Sequence, residues 1–346
     1  MIDWTRGYRV VAWRLFRVNP DTWADAGEVG GMVSATVSRT EEDEQDRGTV
    51  SLTSDSRGRF EQGWHRIAMT AQQDEAIERV DVATLWMDST GGELNRGASL
   101  VTVNGSSVLH PCASETLETG SYAPKGVDGA AFAADLIRST TPAPVVVEGS
   151  FTIEEHVVFD SGATALSAAK LVLDAGNFIM QVDGRGVVYI HPRPSDPILV
   201  LDASRARLMQ PSVTYSLDYS EVPNRYIAED ESASARSVND DPNSPTSTVS
   251  RGWVKDIRDT SPIRVNGETL TAYTARRLQE ESTVHDTRSY TREYWPDVHP
   301  GSIVRGTVAT VGEDGLFRVE SQQIDCNKGI TVQESSYREV VLWQSQ

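Results

Sequence analysis

The stretch SLDYSEVPNRYIAED, Ser216 to Asp230, decides how this chain is read. Two strand-forming runs are interrupted by Pro223, with Asp218, Glu221, Glu229 and Asp230 around the break. It is either an acidic catalytic loop or a joint in a β-scaffold. Val213, Tyr215, Leu217 and Tyr219 alternate with Thr214, Ser216, Asp218 and Ser220, the period of a half-buried strand, which predicts Asp218 on the outer face. Proline cannot donate to a strand ladder, so Pro223 predicts a break at an edge or bulge. Asn224 can satisfy the freed backbone or turn left-handed, and the strand then resumes as RYIAE. The stretch predicts a corner where a β-domain begins, with its charges on the surface.

Upstream, the first 120 residues predict one small β-barrel domain. Tyr8–Val18 is rich in β-branched and aromatic residues. MVSATVSR and GTVSLTS flank the acidic run Glu41–Asp46, expected at a hairpin tip. Val80, Val82, Thr84 and Trp86 alternate along another strand, and Asn104-Gly105 between two apolar runs predicts a tight hairpin. Residues 126–200 read differently. Asp128 is placed to cap one helix, with Phe132, Leu136 and Ile137 on one face. Thr164 caps a second, carrying Leu166, Ala169 and Leu173 and closing at Gly176 as a glycine C-cap. A strand pair follows, turning at Asp183-Gly184, where VDGRGVV lacks the order of a phosphate-binding loop.

Downstream, 206–260 and 285–346 predict a second, split β-barrel domain, separated by a helical insertion at 261–284. That helix has Leu270, Tyr273 and Leu278 inward and Arg276, Arg277, Glu280 and Glu281 outward. The polar run SASARSVNDDPNSPTST is expected to be a mobile loop. The fold class is thus mainly β with α+β: two small barrels, an inserted α+β domain and a helix-bearing insertion.

Composition bounds the function. A length of 346 residues suits two or three domains. A net charge of −18 disfavours sequence-specific nucleic-acid binding and anionic membrane surfaces, and it would keep passing DNA from adhering. No stretch approaches the roughly 20 apolar residues of a membrane span, so no insertion is expected. No signal peptide is evident at the N-terminus, so synthesis in the cytoplasm is expected.

Catalysis is not expected. A glycoside hydrolase needs two carboxyl groups roughly 5–10 Å apart across a cleft. Asp218, Glu221, Glu229 and Asp230 could supply them, but they read as solvated surface. His65, His110, His156, His191, His285 and His299 are scattered, and three of them precede a proline. Cys112 and Cys326 lack metal-site spacing and read as buried free thiols. No catalytic, cofactor or metal site is therefore expected. Trp13, Trp86 and Tyr215 are expected to pack, and TSDSRGR (Thr53–Arg59) reads as a solubilising loop. The candidate partner-contact residues sit in the two polar loops: Glu41, Glu42, Asp43, Glu44 and Asp46 in one, and Asn239, Asp240, Asp241 and Asn243 in the other.

The order of parts resembles the tail hub, or baseplate hub, proteins of tailed bacteriophages. SVTYSLDYSEVPNRYIAEDE (Ser212–Glu231) resembles the strand–turn–strand opening the family's second barrel. GATALSAAKLVLDAGNFIMQVDGRGVVYIHPRP (Gly162–Pro194) is similar to its helix and hairpin. TAYTARRLQEESTVHDTRSYTREYWPDVHPGSIVRG (Thr271–Gly306) is similar to its helix leading into a proline-glycine turn and strand. Ser302 stands where the family commonly has an acidic residue. The resemblance covers about residues 125–310, and the N-terminal barrel matches by order and composition. It implies two barrels per subunit and a homotrimer presenting a pseudo-sixfold ring around the DNA path at the tail tip. Its partners would be the tail tube or distal tail protein, the tape measure protein, and a central fibre or spike. Relatives with appended cell-wall hydrolase domains, and glycan-binding tail modules, supply the alternative reading.

Overall fold

The computed structural model describes residues 2–4, 7–41, 46–54, 61–93, 99–154, 156–202, 213–229, 233–260, 262, 268–308, 313–327 and 329–344. The chain forms two compact units, Met1–Ser212 with Tyr290–Ser336, and Val213–Ser289 with Tyr337–Gln346. Glu42, Asp43 and Glu44 and most of TSDSRGR lie outside the described residues.

The first seven strands are β1 (Arg9–Val18), β2 (Asp25–Val29), β3 (Met32–Thr40), β4 (Asp46–Ser54), β5 (Gly63–Gln73), β6 (Ala76–Glu93) and β7 (Ser99–Ser107). They pair antiparallel in the order β2-β1-β5-β6-β7-β4-β3. β3 and β4 pair antiparallel on either side of the acidic run, with Arg39 opposite Asp46. Asn104-Gly105 does not turn. Both lie inside β7, opposite Thr49 and Gly48 of β4. A Cβ on Gly105 would come within 3.0 Å of Leu85 Cβ and 3.1 Å of Met87 Cγ, so this glycine answers close packing rather than a positive φ.

The middle of the chain holds α1 (His110–Ser114), β8 (Tyr122–Ala123), α2 (Gly129–Thr140), β9 (Val145–Val147), β10 (Val157–Val158), α3 (Ala165–Ala175), β11 (Phe178–Val182), β12 (Val188–Pro192) and β13 (Pro197–Asp202). Local chemistry sets the helix starts. Asp128 accepts from the Ala130 and Ala131 amides, and Thr164 and Ser167 form a reciprocal capping box. The end of α3 departs from expectation. Gly176 has φ −96°, and Asn177 takes the left-handed position at φ 57°. Gly176 is instead needed for space, since a Cβ there would lie 2.5 Å from the Phe151 ring. The β11–β12 hairpin turns at Asp183 as predicted, where the Asp183 carboxylate accepts from the Val187 amide at 2.8 Å.

The central parts of β5 and β6 are buried on both faces because each face meets a different core. Ile67, Met69, Val82 and Leu85 fill the interior of the N-terminal sheet, with Leu15, Val37 and Val50. On the opposite side Trp64 packs with Val108, Ile137, Leu173 and Ile190 of the α+β layer, and Trp23 and Trp86 close its margin. Trp86 therefore packs as expected, and Trp13 is partly buried against the sheet core.

Unit two holds β14 (Thr214–Leu217), β15 (Arg225–Glu229), β16 (Ser234–Val238), α4 (Thr248–Arg251), β17 (Asp256–Asp259), α5 (Leu270–Glu281) and the first part of β18 (Thr283–Glu293). The corner at Pro223 is present. β14 pairs with β18, whereas β15 pairs with β16 and β17 in a separate sheet. α5 covers that sheet, burying Leu270, Tyr273 and Leu278 against Tyr226 and Ala228 as its spacing predicted. Arg276 and Arg277 face outward and pair with Glu268, Glu280 and Glu281. Tyr215, expected inward, is 72% exposed, because the four-residue β14 has no layer behind that face among the described residues.

β19 (Ile303–Val308), β20 (Glu313–Cys326) and β21 (Ile330–Val341) complete the chain. β20 pairs with β3, β19 with β20, and β13 lies parallel on β19. The late strands thus extend the sheet of the first strands, whereas the sequence grouped 285–346 with 206–260. The fold is mainly β with a compact α+β layer, and among the described residues its sheets do not close into barrels. Cys112 and Cys326 are buried free thiols, and burial raises both above the usual thiol range.

Candidate partner interface

The opening stretch is stapled from below. Asn224 is fully buried; its side-chain amide donates to the Trp253 carbonyl at 3.0 Å and its Oδ1 accepts from the Lys255 amide at 2.9 Å. Asn224 thus satisfies neighbouring backbone, one of its two predicted roles. Arg251 donates to the carbonyls of Val222, at 2.6 Å, and Tyr219. Lys255 reaches the Ser220 carbonyl and Glu221. The carboxylates are held singly on the surface. Asp218 accepts from the Ser220 amide, which lowers its pKa, Glu221 is 90% exposed, and Glu229 pairs with Arg258. Among the described residues these carboxylates do not face one another as a pair. Asp230 lies outside the described residues.

The run expected to be a mobile loop is built into unit two. Ser234–Val238 is β16, and Asn239 is fully buried. Its Nδ2 donates to Ser244 Oγ at 2.9 Å and Thr246 Oγ1 at 3.3 Å, and its carbonyl accepts from the Thr248 amide. Ser247 then caps α4. Composition resembles disorder here because serine, threonine and asparagine are satisfying one another. Asp240 and Asn243 are exposed, and Asp241 accepts from the Asn243 amide at 2.8 Å. In the other loop Glu41 is held by Arg193 at 3.1 Å, and the Asp46 backbone continues β4.

Sequence reasoning missed the neighbouring patch. Gly252 ends α4 in the left-handed conformation at φ 72°, and the chain then presents Trp253 at 51% exposure. The Arg251 guanidinium sits 5.1 Å from the Trp253 ring centroid. Val249, Val254 and Tyr219 are exposed on adjoining segments. The available signal was RGWVKD, a tryptophan just past a glycine with no alternating pattern to bury it. An aromatic and an arginine on a fixed backbone have the composition of an interface hot spot.

The first unit contains a cleft of about 1010 Å³ lined by Trp23, Asp25, Arg79, Asp81, Asp183 and His299. Its charges largely neutralise one another. Asp25 pairs with Arg66 at 2.7 Å and Arg79 at 2.6 Å, and Asp81 with Arg79 at 2.6 Å and Arg185 at 3.4 Å. Burial raises the Asp183 carboxyl above the usual range against two backbone hydrogen bonds. Among the described residues no three His, Cys, Asp or Glu side chains gather to hold a metal.

His299 gives the fold a pH dependence. Desolvation, then the charges of Arg39 and Arg292, lowers its pKa to about 3, and its Nδ1 accepts from Arg39 at 3.1 Å. Below pH 6.5 the unfolded chain binds a proton that the folded imidazole refuses. Stability should therefore fall on acidification from 6.5 towards 3, by up to about 1.4 kcal/mol per pH unit. His65, lowered by burial, acts in the same direction. Denaturant melts between pH 7 and 5 should show this slope, and His299→Gln should flatten it.

No family model and no curated protein sequence matches this chain. Solved structures do. The 43 kDa tail protein of prophage MuSo2 from Shewanella oneidensis is similar over 94% of this chain and 98% of its own, with a TM-score of 0.61 at 14% identity. A tail protein from Neisseria meningitidis MC58 is similar over 96% and 97%, with a TM-score of 0.63 at 13% identity. The half-lidded Francisella PdpA–VgrG complex contains a chain similar over 96% of this one and 58% of its own, with a TM-score of 0.58 at 7% identity. The order of strands, capped helices and hairpin thus builds a fold shared with these solved tail proteins.

Proposed function

We propose that this protein is a structural component of a bacteriophage virion, a tail hub at the distal end of the tail tube. Three copies form a pseudo-sixfold ring around the DNA path. One face meets the tail tube or distal tail protein and the tape measure protein; the other meets a central fibre or spike. The observation that carries this is the extent of the fold likeness, nearly the whole of both chains for two tail proteins. The net charge of −18 suits a wall that DNA passes without adhering. Gold-labelled antibody against the chain should mark the distal end of the tail in electron micrographs. Label on the capsid, or none on intact particles, contradicts the assignment.

The hub reading is non-enzymatic. Cell-wall digestion by the purified chain, abolished by Asp218→Asn or Glu221→Gln, would overturn it. The exposed Trp253 and Tyr215 favour one second reading, a glycan-binding tail-tip protein. Trp253→Ala separates the two. It should change stability by less than about 1 kcal/mol, because the side chain is half exposed. As a protein hot spot it should weaken tail assembly by about 2 kcal/mol or more, roughly thirtyfold, read as the yield of complete tails in complementation. Normal tails that fail to adsorb to cells would support glycan binding instead.

A further inference from the structure

The corner in unit two holds an apolar patch outward. Val249 is 61% exposed on α4, Val254 is 46% exposed just past it, and Trp253 and Tyr219 adjoin them. The Asn224, Arg251 and Lys255 bonds fix the backbone beneath these side chains, so the patch does not fold back on itself. An exposed apolar patch rimmed by polar groups marks an interaction surface.

The charges around the patch decide what it fits. Its two cations are used within the corner. Arg251 donates to the carbonyls of Val222 and Tyr219 with its guanidinium beside the Trp253 ring, and Lys255 is held by the Ser220 carbonyl and Glu221. The acids differ. Asp218 is exposed, its hydrogen bonds come from Ser220 of its own turn, and Lys255 acts on it only weakly. Asp240 is exposed, and its carboxylate has no hydrogen bond or ion pair among the described residues. Both acids belong to segments bonded to the one that carries Trp253. Arg251 holds Tyr219, next to Asp218, and Asn239, next to Asp240, accepts from the Thr248 amide at 2.9 Å. The charge left for an incoming partner is therefore negative.

We propose that this corner docks a basic segment of a different protein. An apolar side chain of that segment sits on Trp253, Val249 and Val254, and its lysine or arginine side chains reach Asp218 and Asp240. This rests on the assembly role proposed above and names the chemistry of the partner. A second copy is disfavoured, because chains carrying −18 repel one another and both cations of the patch are already engaged. The same sign disfavours nucleic acid and anionic membranes. A saccharide would use the tryptophan face but would set its hydroxyls against two valine side chains.

Photo-cross-linking in assembled particles tests this. With p-benzoylphenylalanine in place of Val254, irradiation should join this chain to a different protein. The segment around the link, identified by mass spectrometry, should carry net positive charge. Asp240→Lys should lower the yield of that link about threefold, and with Asp218→Lys about tenfold. The same charge change at exposed Asp21 and Glu154 should leave it unmoved. Asp240→Lys breaks no bond of the fold, so its melting temperature should match the parent, and reversing the linked lysine or arginine to glutamate should restore the yield. A link to another copy of this chain, to a segment without net positive charge, or to no protein overturns the proposal, as does a yield that ignores both reversals. A link formed by a chain that antibody does not find on tails would leave the docking contact standing and overturn the tail assignment. A tail-located chain without the link would do the reverse.

Discussion

Glu334→Ala should lower the melting temperature of the first unit on the order of 10 °C, the result of losing about 3–5 kcal/mol. The Glu334 side chain has no exposed surface, and the Arg292 side chain is 2% exposed. Arg292 Nε donates to Glu334 at 3.1 Å, Gln322 donates to it at 2.7 Å, and the Tyr290 hydroxyl donates to its other oxygen. Burial, reinforced by the Glu334 charge, raises the Tyr290 pKa well above its ordinary value. Burial opposes the charge on Arg292, and Glu334 more than offsets it. Alanine leaves a buried guanidinium uncompensated between β18, β20 and β21. The double variant Arg292→Met/Glu334→Leu should recover part of the loss, because apolar residues can replace a buried ion pair at little cost. Calorimetry showing the single variant within a degree of the parent would contradict the network's role.

Gly184→Ala should be nearly as damaging, by about 3 kcal/mol or more, for steric rather than electrostatic reasons. An added Cβ would sit 1.8 Å from the Asp81 carbonyl oxygen and 2.4 Å from its carbon. Backbone cannot swing aside as a flexible side chain can, so the β11–β12 hairpin must lift from β6. Lifting it strains the bond from Thr84 Oγ1 to the Gly184 carbonyl, 3.0 Å, and those from Arg66 and Trp23 to the Arg185 carbonyl, 3.1 and 2.8 Å. Hydrogen exchange should show lost protection across residues 178–192. Gly30→Ala serves as control, since nothing lies within 4 Å of a Cβ there. Equal effects from the two substitutions would contradict the close-approach explanation.

Local chemistry made part of this fold legible. Asp128 and Thr164 cap their helices through atoms within three residues, so the sequence contains each cap complete. The turn at Asp183 is equally local. Pairing between β20 and β3 joins residues nearly 300 positions apart, and no periodicity records such a partner. Asn104-Gly105 misled because its glycine serves packing against Leu85 and Met87. The run SASARSVNDDPNSPTST, residues 232–248, misled because a satisfied polar network has the composition of a solvated loop. The candidate interface was half visible. Asp240 and Asn243 are exposed as expected, Asn239 is buried, and Trp253 gave no periodic signal.

The stretch from Ser216 to Glu229 forms a stapled corner, in which the Asn224 side chain holds the Trp253 carbonyl and Arg251 holds that of Val222. Its acids are spaced for solvent, and its arginine and asparagine contacts make the neighbouring patch rigid. On the proposed hub reading the Trp253 patch serves assembly, and assembly is where that reading can be tested most directly. A cryo-electron reconstruction of the tail tip, with this chain fitted to density, should show three copies in one ring at the end of the tube. The patch around Trp253 should contact a neighbouring tail protein. Density that excludes this fold from the tube axis, or places it in any number other than three, would contradict the hub assignment.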